Sequence, residues 1–123
     1  FRNPDETTLS AMDAEFRAEA ARIAGEIGLA LEIKEIWHFP ATPFAAECVS
    51  AVRDAAAARG YPHRDIVSGA GHDALSMARV APTAMIFVPC DDGISHNEKE
   101  YTAPGDLVNG ANVLLGTALS MVN

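Results

Sequence analysis

Cysteine is scarce in this chain, with only Cys48 and Cys90, far apart and without a close-spaced Cys or His partner. That excludes a disulfide framework and a thiolate zinc site, and both are expected to be small core-filling residues. Basic residues are also few, nine Lys and Arg against 17 Asp and Glu, for a net charge of -8. Such a balance repels a polyanion and argues against a nucleic-acid partner. No apolar run approaches the roughly 18 to 20 residues of a membrane helix, and the N-terminus lacks the basic-then-apolar layout of a signal peptide. The expectation is a soluble, cytoplasmic protein with no membrane partner. There is no internal repeat or low-complexity tract. What is present is 49% hydrophobic and 21% charged residues over 123 positions, enough for an ordinary globular core.

The hydrophobic pattern divides the chain. Asn3 can cap a helix, Pro4 suits its first turn, and Asp5 and Glu6 suit the positive end of its dipole. Leu9, Met12, Phe16, Ala20, Ile23 and Ile27 then recur at steps of three and four, predicting one buried stripe that ends at Gly28. From Ala30 to Phe39 the period becomes two, with Leu31, Ile33, Trp37 and Phe39 on one face, which predicts a strand. Pro40 and Pro43 break it and mark the best candidate for a domain crossing. An Ala-rich helix is expected from Phe44 to Arg59, stopped by Gly60. Further on, a strand near Asp65 to Val67, a short helix near Asp73 to Arg79, a buried strand over Met85 to Val88 and a last helix opened by Pro104 are expected. Leu107, Ala111, Leu114, Leu115, Ala118 and Leu119 would line that last helix. Alternating strands and helices make the predicted class α/β.

Three segments bear on chemistry. Ser68 to Ala74 satisfies the dinucleotide pattern G-x-G-x-x-A, and Asp91 and Asp92 fall about 20 residues later. The helix after the glycines is too short for a crossover helix and the strand before them is only two or three residues long, so a tight glycine turn is the better account. His72 and Asp73, as sequence neighbours, do not face each other on a helix, and His72 reads as a hydrogen-bonded structural residue. In the loop after the apolar run Met85 to Val88, Asp91, Asp92, Glu98 and Glu100 do not follow the EF-hand alternation and read as solvated acids. His96 in that loop is an imidazole at the end of a strand, where α/β enzymes place ligand-binding groups; position alone leaves it a solvated loop residue.

Taken together, Phe1-Arg2-Asn3-Pro4-Asp5, Ser68 to Ala74, and Pro82 to Pro89 leading into Gly93-Ile94-Ser95-His96-Asn97-Glu98 resemble the hydantoinase/carbamoylase family. That family includes N-carbamoyl-L-amino-acid hydrolases, allantoate amidohydrolases and β-ureidopropionases. The resemblance implies an α/β catalytic domain with two divalent metal ions (zinc, manganese or cobalt), interrupted by a lid domain that makes a homodimer. It implies that residues 1–40 are the C-terminal half of the lid and 41–123 the C-terminal part of the catalytic domain. His96 matches the family's last metal ligand, Arg2 the arginine that holds the substrate carboxylate, and Gly69 to Gly71 the turn against which substrate lies, through Gly69 or Gly71. The other ligands and the general base would lie upstream of Arg2. Phe1-Arg2 stands directly before a capped helix with no initiator Met, and the chain is expected to be the C-terminal part of a longer enzyme, inactive alone and completed by its N-terminal part. The substrate expected is a small ureido or carbamoyl compound. A metallo-exopeptidase of the same larger group and a non-catalytic α/β dimerisation module are the alternatives.

Overall fold

The computed structural model describes residues 1–122. It contains four α-helices: α1 (Glu6–Ile27), α2 (Ala46–Ala57), α3 (Asp73–Met77) and α4 (Pro104–Met121), with a short 3-10 turn over Asp91–Gly93. The chain divides into two compact units, one of Phe1–Pro43 with Val67–Ala70, the other of Phe44–Ile66 with Gly71–Asn123.

In the first unit α1 starts two residues later than the Asn3 cap predicts. Asp5 is the cap, its Oδ1 accepting from the Thr8 backbone N–H at 2.7 Å and from the Thr8 hydroxyl at 2.6 Å. Asn3 acts one step earlier, its Oδ1 accepting from the Asp5 N–H at 2.8 Å. Gly28 ends the helix in the left-handed region, φ 72°, where a residue without Cβ is unstrained. Arg17 pairs with Asp13, and Arg22 with Glu19 and Glu26; these exposed spacings of three and four each contribute only a few tenths of a kcal/mol.

The Asp5 cap makes the helix start sensitive to acid. The Thr8 hydroxyl and N–H hold the Asp5 carboxyl below the usual aspartate range. The stabilisation is therefore complete above the ordinary aspartate pKa of about 3.9 and is lost as pH falls through the lower folded value. The Thr8 amide should lose hydrogen-exchange protection below about pH 4, and D5N, whose amide oxygen caps without titrating, should remove that dependence.

The predicted stripe of α1 is not a buried one. No residue of α1 is buried, and Phe16 is 47% exposed; its ring meets that of Phe1 edge-on, centroids 5.2 Å apart. The strands are a second correction, because no strand ladder forms among the described residues. A helix satisfies its own backbone, whereas a strand needs a neighbouring edge, and none of the described segments supplies one to 30–39, 65–67 or 85–88. The period of two still registers locally: Trp37 and Phe39 meet edge-on at 4.8 Å, as residues on one side of an alternating segment do.

In the second unit α2 runs shorter than Phe44 to Arg59, and Gly60 follows it at φ 68°. Its Cys48, Ala55 and Ala56 are buried, and the alanines pack with Val113 of α4, flanked by Val52, Tyr61 and Ile86. Cys48 thus fills the core as expected, while Cys90 is half-buried; both are free thiols. Arg53 reaches Asp65 at 2.6 Å, and its guanidinium holds the Asp65 carboxyl below its ordinary range.

The inward face of α4 is not the leucine stripe. Val113 and Thr117 are the buried positions, Thr117 turning its hydroxyl to Val113 O at 2.9 Å, whereas Leu107, Leu114, Leu115 and Leu119 are more than half exposed. Gly110 and Gly116 explain the choice. A Cβ on Gly110 would lie 2.5 Å from Val88 Cγ1, and one on Gly116 would lie 2.5 Å from the Arg59 guanidinium. Small residues let neighbouring segments close on this face, while the leucines stay more than half exposed. The run 85–88 is accordingly half-buried, with Phe87 47% exposed, and not the fully buried strand expected.

Gly110→Ala separates this packing from helix propensity. In an open helix the change stabilises by about 1 kcal/mol; here overpacking against the stiff, β-branched Val88 costs about 1–3 kcal/mol. The expected net result is a lower Tm, restored when Val88→Ala is added.

Candidate functional site

Arg2 and Gly69, far apart in sequence, are neighbours within the first unit. A Cβ built on Gly69 would stand 3.1 Å from Arg2 Cδ and 3.6 Å from Arg2 Nη1, so the bare backbone there leaves room for the arginine stem. The turn is held by the Ser68 hydroxyl accepting from the Ala70 N–H at 3.2 Å. Arg17, Arg22 and Arg53 spend their guanidiniums on carboxylates. That of Arg2 is exposed and has no hydrogen bond or ion pair with any described residue. An unengaged planar fork beside an open backbone turn can take a carboxylate in two parallel hydrogen bonds.

The first unit also contains a polar clasp that the pattern of residues did not reveal. Glu6, in the first turn of α1, lies 3.0 Å from His38 Nε2 and accepts from the Ala41 N–H at 2.9 Å. It ties the stretch just before Pro43 to the helix start.

Gly71 and His96 belong to the second unit. A Cβ on Gly71 would meet nothing within 4 Å. The glycine turn leads into α3, whose five residues are too few for the crossover helix of a dinucleotide fold. His72 precedes α3 and packs its ring edge-on against Phe87 at 5.6 Å, a structural placement.

His96 sits in a loop built almost wholly from its own hydrogen bonds. The Asp91 N–H donates to Tyr101 O at 2.8 Å and closes the loop's ends; the Ile94 N–H donates to Asp91 O at 3.0 Å. Asp92 at φ 51°, Gly93 at φ 67° and His96 at φ 54° all take the left-handed region, uncommon for residues with a Cβ although His, Asn and Asp tolerate it best. Asn97 turns the chain, its Oδ1 accepting from the Lys99 N–H and its carbonyl from the Glu100 N–H, both at 2.9 Å. That turn returns Glu100 onto His96, whose backbone N–H donates to Glu100 Oε2 at 2.9 Å. Glu100 is therefore a structural acceptor and not simply a solvated acid. Asn97, a turn former, is the sequence signal that could have found it.

The ring nitrogens of His38 and His63 are engaged, by Glu6 and by Tyr61 O respectively. The His96 ring is exposed and has no partner among the described residues. Such an imidazole suits a metal donor. No three His, Cys, Asp or Glu side chains of the described residues come together as donors, and a catalytic divalent ion needs at least three protein ligands. The chain thus fits one ligand of such a centre and not the centre itself. An apolar groove of about 660 Å³ in the second unit, lined by Cys48, Met77, Ile86, Leu107 and Leu114 among others, has no His, Asp, Glu, Lys or Arg in its wall.

The model of peptidase family M20/M25/M40 matches residues 5–120. The chain belongs to that family. An N-carbamoyl-L-amino-acid amidohydrolase from Rhizobium meliloti is 43% identical over 119 residues, covering 97% of this chain and 29% of the relative. One from Paenarthrobacter aurescens is 37% identical over 115 residues, covering 94% and 28%. A crystal structure of an amidase of the hydantoinase/carbamoylase family from Burkholderia multivorans superposes with a TM-score of 0.93 at 55% identity, covering 96% of this chain and 29% of that one. The M20 family match and these hydantoinase/carbamoylase neighbours bear out the resemblance seen in the three segments. The chain spans under a third of the length of each of them. No helix of the described residues is long and apolar enough to cross a membrane.

Proposed function

We propose that this chain is part of a metal-dependent amidohydrolase that cleaves the C–N bond of a carbamoyl or ureido group, on N-carbamoyl-L-amino acids or allantoate. The observation that carries the reading is the Arg2 guanidinium, unengaged and set against the bare turn at Gly69. The naming of two similar proteins as N-carbamoyl-L-amino-acid amidohydrolases supports it.

In this reading Arg2 takes the substrate carboxylate, and Gly69 or Gly71 offers backbone to the substrate without a side chain in the way. Anchoring the carboxylate sets the carbamoyl carbon in one place and converts part of the encounter cost into prior binding. His96 contributes one imidazole to a centre of two divalent ions (zinc, manganese or cobalt), whose other ligands come from outside this chain. The metal, when bound, supplies an activated water at neutral pH and polarises the carbonyl. With an N-carbamoyl amino acid the reaction consumes water and releases ammonia, carbon dioxide and the amino acid.

The same reading makes residues 1–40 the C-terminal half of a lid that forms a homodimer and 41–123 the end of an α/β catalytic domain, with 30–39, 65–67 and 85–88 pairing as strands against segments outside this chain. The exposed apolar residues of α1 and α4 support it. A cytoplasmic location is part of the proposal.

The test is direct. The intact protein, loaded separately with zinc, manganese and cobalt, should release ammonia from N-carbamoyl-L-amino acids or allantoate and should leave dipeptides uncut. Dipeptide cleavage without ammonia release would transfer the reading to a metallo-exopeptidase, and neither activity to a non-catalytic module.

A further inference from the structure

We infer that Glu100 is a positioning residue for the His96 imidazole, acting on its backbone and not on its ring; the inference rests on His96 being a metal ligand. A non-glycine residue at φ 54° occupies a sparsely populated well and persists there only when its surroundings hold it. The His96 N–H donates to Glu100 Oε2 at 2.9 Å, and this hydrogen bond acts at an atom of the φ torsion itself. The loop delivers the acceptor by construction. The Asn97 side chain and carbonyl form the turn that brings position 100 back over position 96, and the Asp91 to Tyr101 bond closes the loop immediately beyond. Glu98, nearer in sequence and of the same charge, makes no such contact.

A metal ligand that must reach a fixed point depends on its backbone torsions as much as on its rotamer. Outer partners that orient ligands typically alter metal affinity by about 10- to 100-fold when removed. Here the orienting group holds the main chain of the ligand and leaves both ring nitrogens open. The role requires an acceptor oxygen at that distance and not a negative charge, so glutamine should perform it.

Metal dissociation constants of the intact protein, measured by chelator competition, together with the visible spectrum of the cobalt-loaded form, test this. E100A should weaken metal binding by about 10-fold and alter the cobalt spectrum, while E100Q should stay close to the parent and E98A should be unchanged. Parental affinity in E100A overturns the inference. So does equal weakening by E100A and E100Q, or by E98A, since each would indicate an effect of charge. Should E100A fail to fold by circular dichroism, E100D, which withdraws the oxygen by one methylene, carries the same expectation. H96A separates the two levels: if it keeps parental metal affinity, the assignment of His96 as a ligand fails, whatever Glu100 does.

Discussion

Replacing His96 with alanine in the intact protein is expected to cost more than about 100-fold in metal affinity, beyond the 10- to 100-fold that attends loss of an outer partner, and to remove ammonia release with it. The expectation follows from what the side chain is free to do. Its ring is exposed and without a partner among the described residues, so its removal leaves no buried group unsatisfied and the fold has little stake in it. The Tm of the metal-free protein should therefore move by no more than the small shift of an ordinary surface change. Metal content by elemental analysis beside the metal-free Tm distinguishes the two roles: a large fall in Tm with metal retained would make His96 a structural residue. H96Q, which offers an amide oxygen and nitrogen in place of the imidazole, should not rescue.

Arg2→Ala is expected to lower kcat/KM on carboxylate substrates by about 100-fold, equivalent to roughly 2.8 kcal/mol at 1.4 kcal/mol per tenfold. The loss should appear mainly in KM. R2K keeps the charge but not the two-pronged geometry and should recover only part of it. The decisive comparison is a substrate whose carboxylate is replaced by a neutral amide. If Arg2 grips the carboxylate, the parent already handles that substrate poorly and R2A handles it no worse. An equal loss on both substrates would mean that the arginine supports the turn at Gly69 rather than the ligand. Gly69→Ala tests the same neighbourhood from the other side. Its Cβ would arrive 3.1 Å from Arg2 Cδ, which displaces a flexible stem by a few tenths of an ångström and should have a smaller effect than R2A.

Helix boundaries were largely legible because they are local. Gly28 and Pro104 mark a stop and a start through φ alone and stand at the ends the pattern assigned, whereas α2 ends at Ala57, ahead of Gly60. The face a helix turns inward is decided by what stands opposite, which is why α4 buries Val113 and Thr117 instead of its leucines. Strands 30–39, 65–67 and 85–88 fail for the same reason in stronger form, since their hydrogen bonds need another segment. At the site, Arg2, Gly69, Gly71 and His96 were named through resemblance to a family, whose identity the comparisons support; their roles remain the proposal. Spacing alone could not have brought Arg2 to Gly69, or told Glu100 from Glu98, because both distinctions depend on chain reversals made elsewhere.

The core between α2 and α4 is built on Ala55, Ala56 and Val113, with no bulky side chain fully enclosed, and on α4 Gly110 faces Val88 and Gly116 faces the Arg59 guanidinium. Its tolerance for change is therefore lopsided. Trimming an already small side chain removes few atoms, whereas any added carbon at Gly110 or Gly116 meets a neighbour at once. Sequence drift across this seam can run readily toward smaller residues and hardly at all toward larger ones. At Gly110 an enlargement needs a partner that yields volume, and positions 88 and 110 should vary together among relatives that fold the same way.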